Sequence, residues 1–547
     1  MLKIFEAVAH AVQGEGVSTM FGLMGDGNLR LLTYWGTNLE MPYYGARHES
    51  AAVAMADGFA RVSGEVGVCT VTQGPGVTNT LTALVTARKA QTPLVLMVGD
   101  VAGFQKNWPQ DVDHDAIFAA AEVPLIKLSD PGTAYSDVVR AIRLARSRGG
   151  PVGINMPVDV QEAEWNAWQD DTEVAAEPAP ERLPVDEDAV RRAADLLLNA
   201  KRPVIIGGRG VIEADCAQQL TSIGDRVGAV FATSLKGKGI FADHPYSVGV
   251  AGGLGSNLGV QLIGEGDVVL AVGAGLNDFT MMRGTLLHER AAVIRCDIDP
   301  ARVAALPSAV AVVADAADFC AALEEELRRR DAQPPGYRPR ADEQLRDYTP
   351  ASEFQSVHED GVLDARDLVI KLNEALPAER TVVTDAGHFF GFPVAYMQVP
   401  DGKAFVCSID FGSIGLGIGM ALGAAIAAPQ RRTVLFIGDG GLLMSLGDLE
   451  TVARYNIPLL IAVLNDQAYG SELQILRFWD MPETMSVFPD TDFAAVARSL
   501  GLRAATVTTE EELDKISSDL TFSQPTLVDF KITRSVRAAW LEEAFRH

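Results

Sequence analysis

A chain of 547 residues is longer than one hydrophobic core usually organises, so two to four domains are expected, with three the central expectation. A hydrophobic fraction of 48%, with no charge-free run long enough to cross a bilayer, argues against a membrane span and points to a soluble globular protein. Lys and Arg number 46 against 72 Asp and Glu, a net charge of −26, and such a field disfavours nucleic acid as a partner; a small anion can still bind where backbone donors or a metal invert the local potential.

The start, Met1-Leu2-Lys3-Ile4-Phe5-Glu6, places an acid where a signal peptide needs its apolar core, so a cytoplasmic location is expected. The cysteines Cys69, Cys216, Cys296, Cys320 and Cys407 lie far apart with no CxxC pair and read as buried thiols, neither a disulfide framework nor a zinc site. The first segment, about 1–165, carries "FGLMGDGNLRLL", "RHESAAVAMADGFARVSGEVGV" and "VGVCTVTQGPGVTNTLTALVTARKAQTPLVLMVGD". A polar, Pro-rich passage at Glu164–Pro184 reads as an exposed linker, and so does a second at Ala332–Glu359. Between them the middle segment, 185–330, holds "DVVLAVGAGLND" and "AAVIRCDIDP", and the third segment runs 360–547.

Short Val- and Ile-rich runs alternating with amphipathic stretches predict an α/β protein of three doubly wound parallel-sheet domains, with ligands beyond the carboxyl ends of the strands. The first and third segments share a layout of strand, Gly-rich turn (Gln73-Gly74-Pro75-Gly76; Gly438-Asp439-Gly440-Gly441), helix, X-Pro and strand. That layout fits two copies of one domain fold, and equally the likeness that any two doubly wound units share.

The chemistry concentrates in "VLFIGDGGLLMSLGDLETVARYNIPLLIAVLND", residues 434–466. Asp439 follows one predicted strand and Asn465-Asp466 closes the next, so a parallel βαβ unit brings the two acids together at one edge. Two hard oxygen ligands and a nearby backbone carbonyl suit magnesium bridging to a diphosphate. No GxxxxGK[ST] or complete dinucleotide fingerprint offers another phosphate loop here. A bare Gly-Asp-Gly is otherwise a tight turn whose Asp caps a helix; the second acid one strand later favours the clamp.

Gly438-Asp439-Gly440 followed by Asn465-Asp466 resembles the thiamin-diphosphate fingerprint of the acetolactate synthase, pyruvate decarboxylase and benzoylformate decarboxylase superfamily, and the likeness extends along nearly the whole chain. The resemblance implies pyrimidine-binding, central and diphosphate-binding domains, with Asp439, Asp466 and the Ala468 carbonyl as magnesium ligands. Asp466 departs mildly from the family, where many members have Asn. "RHESAAVAMADG" is similar to the stretch around the family's essential glutamate, which maps onto Glu49, the acid set against the cofactor's aminopyrimidine ring; alone, Glu49 would read as a helix-start acid. Gly412-Ser413-Ile414-Gly415 resembles the loop whose bulky residue, here Ile414, props the cofactor; alone, Ile414 would read as core. Gly25, Gly74, Pro75, Gly387, Ser413, Gly438, Gly440, Gly441 and Tyr469 are the further cofactor-binding positions the resemblance implies.

The family's shared reaction is attack on a 2-oxo acid with loss of carbon dioxide; protonation then gives an aldehyde, whereas a second carbonyl gives an acyloin. The subclass signals are mixed. Asp26 and Glu472 fall where simple decarboxylases keep acid-base residues, while Gln110 occupies the synthase glutamine position, the decarboxylase His-His pair is absent and Ile475 replaces the synthase Trp. His388, after "VVTDAG", is a candidate to line the site; His114 reads as a surface residue or as one that stands behind those lining the site. Met24, Leu473 and Leu476 are expected to wall the substrate space. The central domain, which in the family binds FAD, ADP or nothing, lacks the flavin binders' wording around Asp297 and Asp299, so FAD is the less favoured alternative. The resemblance further implies a homodimer with shared active sites, assembling to a homotetramer. The rival readings are a simple decarboxylase, an FAD-containing synthase or oxidase, and a non-catalytic cofactor-binding relative, against which the presence of Glu49 weighs.

Overall fold

The computed structural model describes residues 2–105, 108–165, 183–330, 336–518 and 523–545. Most of the first expected linker, 166–182, lies outside the described residues. Three six-stranded sheets, all parallel, organise the chain. The first contains β1 (Met20–Gly22), β2 (Tyr43–Gly45), β3 (Gly67–Val71), β4 (Leu94–Asp100), β5 (Leu125–Lys127) and β6 (Pro151–Pro157), in the order β2-β1-β3-β4-β6-β5. The second contains β7 (Pro203–Gly207), β8 (Val230–Thr233), β9 (Ser247–Val250), β10 (Val268–Val272), β11 (Ala292–Asp297) and β12 (Val310–Val313), ordered β9-β8-β7-β10-β11-β12. The third contains β13 (Arg380–Thr384), β14 (Phe405–Cys407), β15 (Arg432–Gly438), β16 (Leu459–Asn465), β17 (Arg503–Val507) and β18 (Thr526–Lys531), ordered β14-β13-β15-β16-β18-β17.

The first and third sheets therefore have one topology: in each, the second strand is at one edge, the sixth lies inside the fifth, and the first and third flank each other. The middle sheet differs and follows the order of dinucleotide-binding folds. The same-fold alternative left open by the sequence is the one realised for the outer two domains. Strands such as β15 and β16 are apolar along nearly their whole length because helices cover both faces of the sheet.

Two helices join the outer domains. α1 (Glu49–Ser63) and α2 (Gly417–Ala427) are buried on almost every side: α2 is apolar all round, and in α1 the buried Asp57 and part-buried Arg61 pair with one another. They cross backbone against backbone: a Cβ on Gly58 would stand 2.2 Å from the Met420 carbonyl oxygen, and one on Gly423 only 1.9 Å from that of Met55. One hydrophobic cluster consequently runs through both domains, from Phe21 to Leu527. The middle domain is tied in by charge. Asp410 accepts from Arg61 at 2.9 Å on one side and pairs with Lys236 on the other, so one carboxylate of the third domain touches side chains of the first and the middle domain.

The second expected linker is only partly a linker. Arg338–Leu345 forms a helix, and the Tyr337 ring before it is buried in the middle-domain core with its hydroxyl on the Leu262 carbonyl (3.0 Å) and Glu265 (3.1 Å). An aromatic side chain with a satisfied hydroxyl outweighs the polar composition around it.

Candidate active site

At the carboxyl edge of the third sheet, β15 runs into α3 (Asp439–Met444) and β16 ends in a turn leading to α4 (Gly470–Phe478). Asp439 and Asp466 are both buried beside this edge. Burial pushes both carboxyls above their ordinary range; the neighbouring Asp466 pushes Asp439 higher still, while the Arg534 guanidinium offsets part of the rise at Asp466. Two carboxylates that repel one another out of water are a place where a hard cation is stabilising. Among the described residues no cluster of three His, Cys, Asp or Glu side chains could hold a metal, so further ligands to a cation here would be carbonyls or oxygens of a bound molecule.

The turn after β16 offers one such carbonyl. The Asn465 oxygen accepts from the Ile532 amide (2.9 Å), the Asp466 oxygen from Arg534 Nε, and the Gln467 oxygen from Arg534 Nη2 and the Phe488 amide, both at 3.1 Å. The Ala468 carbonyl has no protein donor among the described residues. Its amide instead donates to Asp466 Oδ1 at 3.2 Å, which orients that carboxylate.

A cavity of about 2020 Å³ opens over this edge and continues toward the middle domain. Gly387 and His388 after β13, Ile414, Gly438 through Gly441, and Asp466, Ala468, Tyr469 and Glu472 all line it. Ser413 lies beside Ile414 and donates its hydroxyl to the Ile414 carbonyl (3.1 Å). The loop bearing Ile414 is pinned from below by Asp385, a residue the sequence reading passed over. Fully buried, Asp385 accepts from Ser408 Oγ (2.8 Å) and the Gly415 amide (2.7 Å), and its carboxyl is pushed up by burial. His388 is buried with Nε2 accepting the Ala538 amide (2.8 Å); burial first, and the Arg537 and Arg477 charges after it, lower its pKa to about 4. Its imidazole is neutral.

The remaining candidates gather at the edge of the first sheet. Gln73 Nε2 donates to Asp26 Oδ1 (2.9 Å) and to Gln110 Oε1 (3.0 Å), and Thr72 Oγ1 donates to Asp26 Oδ1 (3.0 Å). Gly74 has φ +62 with the Gln110 backbone packed against it, so a side chain there is excluded twice over. Gly25 donates its amide to Asn28 Oδ1 (2.8 Å), and Pro75 opens the short turn that ends at Asn79. Asn79 Nδ2 in turn donates to Glu49 Oε2 (3.0 Å), at the start of α1. Gln73 and Asn79 are thus the partners that the sequence reading missed, and their position in and after the quoted "QGPG" turn was the available signal. None of Gly25, Asp26, Glu49, Gly74, Pro75 and Gln110 lines the cavity over Asp439.

Some expectations change. His114 is buried, with Nδ1 against Asn155 Oδ1 at 2.9 Å, so it is no surface residue. Leu473 is fully buried, and the apolar wall of the single-chain cavity includes Ile475 and Trp540; the substrate wall expected of Met24, Leu473 and Leu476 would involve both copies. Asp297 and Asp299 do close a βα turn, Asp297 accepting the Asp299 amide (3.0 Å) and Asp299 that of Ala301 (2.9 Å), and both also line the middle-domain end of the cavity.

Family models agree with this architecture: the N-terminal TPP binding domain of thiamine pyrophosphate enzymes matches residues 2–117, the central domain 190–323 and the C-terminal TPP binding domain 385–530. A probable 2-ketoarginine decarboxylase of Pseudomonas aeruginosa is 32% identical over 94% of this chain and 90% of its own length. The chain belongs to the thiamin-diphosphate-dependent enzymes of the acetolactate synthase and decarboxylase superfamily. Other relatives of this thiamin-diphosphate enzyme include a probable acetolactate synthase large subunit of Methanocaldococcus jannaschii, 29% identical over 97% of this chain and 92% of its own. A sulfoacetaldehyde acetyltransferase of Rhodobacter capsulatus is 28% identical, with 98% and 96% covered. No helix among the described residues of the enzyme is long and apolar enough to cross a membrane.

Proposed function

We propose that this enzyme uses thiamin diphosphate and magnesium to decarboxylate a 2-oxo acid and pass the acyl unit to a carbonyl acceptor, in a homodimer with shared active sites that pairs into a tetramer. The observation that carries the reading is the carboxyl edge of the third sheet, where Asp439, Asp466 and the unengaged Ala468 carbonyl form a hard-oxygen ligand set. When bound, the cofactor supplies a nucleophilic carbon and an electron sink for the bond to carbon dioxide.

The chain's own residues do the rest. Asp439, Asp466 and the Ala468 carbonyl would hold the magnesium, and Gly440 and Gly441, without side chains, would leave room for the diphosphate. Ile414, on a loop held by the bond from the Gly415 amide to Asp385, would support the cofactor. Glu49, kept in place by Asn79, would hold or release a proton at its carboxyl toward the cofactor's aminopyrimidine. The Gln110, Gln73 and Asp26 network orients the substrate's polar groups, and Glu472 and His388 stand at the opposite wall. That none of Gly25, Asp26, Glu49, Gly74, Pro75 and Gln110 lines the cavity over Asp439 supports a second copy completing each site.

Gln110 in this network and relatives named as a probable acetolactate synthase and an acetyltransferase support carboligation, while Asp26 beside it and the relative named a probable 2-ketoarginine decarboxylase support release of the aldehyde. Joining an acyl unit to a carbonyl after loss of carbon dioxide is redox-neutral overall, so the reading requires no flavin. The test is carbon dioxide release from a panel of 2-oxo acids with thiamin diphosphate and magnesium, with and without an aldehyde or second 2-oxo acid. An acyloin product is expected; free aldehyde alone would replace this reading with a simple decarboxylase, and no carbon dioxide from any substrate would overturn it.

A further inference from the structure

We propose that Arg534 is the positioning residue of the metal-binding turn, its guanidinium spanning the carbonyls of Asp466 and Gln467 so that the turn presents the Asp466 carboxylate and the Ala468 carbonyl. The inference rests on the magnesium reading above and adds a residue from a different part of the chain, beyond the end of β18. The turn is held in a conformation it would not keep alone: Gln467 has φ +53, a left-handed geometry uncommon for a residue with a side chain. Such a backbone persists only where its surroundings over-determine it.

Arg534 supplies much of that constraint. Nε donates to the Asp466 carbonyl, Nη2 to the Gln467 carbonyl (3.1 Å) and to Gln467 Oε1 (3.3 Å), while the Gln467 amide donates to Asn465 Oδ1 (3.1 Å). Arg534 is itself fixed, because its carbonyl accepts from Gln474 Nε2 (2.8 Å) and Arg477 Nη1 (2.6 Å) on α4. Arg477 is braced in turn by Glu483 (2.8 Å). The planar fork engages adjacent carbonyls at once, which a lysine ammonium on a flexible stem does not reproduce. It also sets a positive charge beside a turn whose two buried carboxylates, Asp439 and Asp466, repel each other. With the Asn465, Asp466 and Gln467 oxygens all engaged, Ala468 is left as the free acceptor.

The test titrates magnesium into full-length, metal-stripped protein at fixed thiamin diphosphate, read by calorimetry, for the native protein, Arg534→Gln and Arg534→Lys. Partners that orient metal ligands are typically worth about 10–100-fold in metal affinity, so Arg534→Gln is expected to weaken magnesium by about that factor, and Arg534→Lys to recover only part of it. The unfolding midpoint of the metal-free protein should move little in Arg534→Lys, which separates positioning from general support of the fold. Unchanged magnesium affinity in Arg534→Gln overturns the proposal; should that variant not fold, native affinity in Arg534→Lys does so. Absence of magnesium binding to the native protein would instead overturn the metal reading beneath it.

Discussion

His388 lines the cavity, yet its Nε2 already accepts the Ala538 amide, so protonation would break that bond as well as bury a charge. Its folded pKa of about 4 lies below the ordinary value of 6.5. The folded state therefore binds fewer protons, and the stability this histidine contributes is complete above about pH 6.5 and lost as pH falls toward 4. Between pH 7.5 and 5.5 the native protein should lose about 1.4 kcal/mol more stability than His388→Gln, whose amide oxygen can still accept from Ala538. Parallel unfolding curves for the two proteins over that range would refute the assignment. Glu49 is buried beside Asn79 at the start of α1, and a proton-handling role predicts that Glu49→Gln binds thiamin diphosphate nearly as well as the native enzyme, measured by calorimetry, while turnover falls by about 10²–10⁴-fold. Native turnover in that variant would remove Glu49 from the mechanism.

At the scale of elements, the crossing of α1 on α2 decides where Glu49 stands. Replacing Gly423 by Ala places a methyl group 1.9 Å from the Met55 carbonyl oxygen and 2.7 Å from the Phe59 amide nitrogen. Backbone atoms at such distances cannot turn aside as a flexible side chain would, so the helices must separate. A loss of about 1–3 kcal/mol or more is expected, visible as a lower thermal unfolding midpoint. An unchanged midpoint would mean that the helices do not meet as described. Individual strands were legible from their apolar runs, and the positions of Asp439 and Asp466 at strand ends followed from them. The likeness of the outer domains was legible as a layout only; their common topology depends on strand pairings far apart in the chain. The 336–345 passage misled because polar neighbours masked Tyr337, whose ring finds a core that no local pattern shows.

For the whole molecule, Arg61, Asp410 and Lys236 bind three domains at one point, and Glu49 is not among the residues that line the cavity over Asp439. If sites form between copies, two dead variants should restore each other. Glu49→Gln and Asp439→Asn, each inactive alone, are expected to regain about a quarter of native activity when unfolded together and reassembled in equal amounts, since half the dimers are mixed and each mixed dimer has one intact site. No recovery, with mixed dimers demonstrated by differential tagging, would place both residues of a site in one chain.

What the sequence by itself determined was chemical: the acids at two strand ends, the glutamate in "RHESAAVAMADG", the glycine-flanked Ile414 and the alternation that makes three parallel sheets. These are local signals, because residue type and spacing carry them. Only the tertiary structure decided which carbonyl of the 465–468 turn is left free, that Asp385 accepts from the amide after Ile414, that the Arg534 guanidinium reaches two carbonyls of the turn, and that Glu49 does not line the Asp439 cavity. Each of those depends on hydrogen bonds and packing between segments tens to hundreds of residues apart, and burial, which makes such bonds matter, is a property of the assembled core and not of any stretch of sequence.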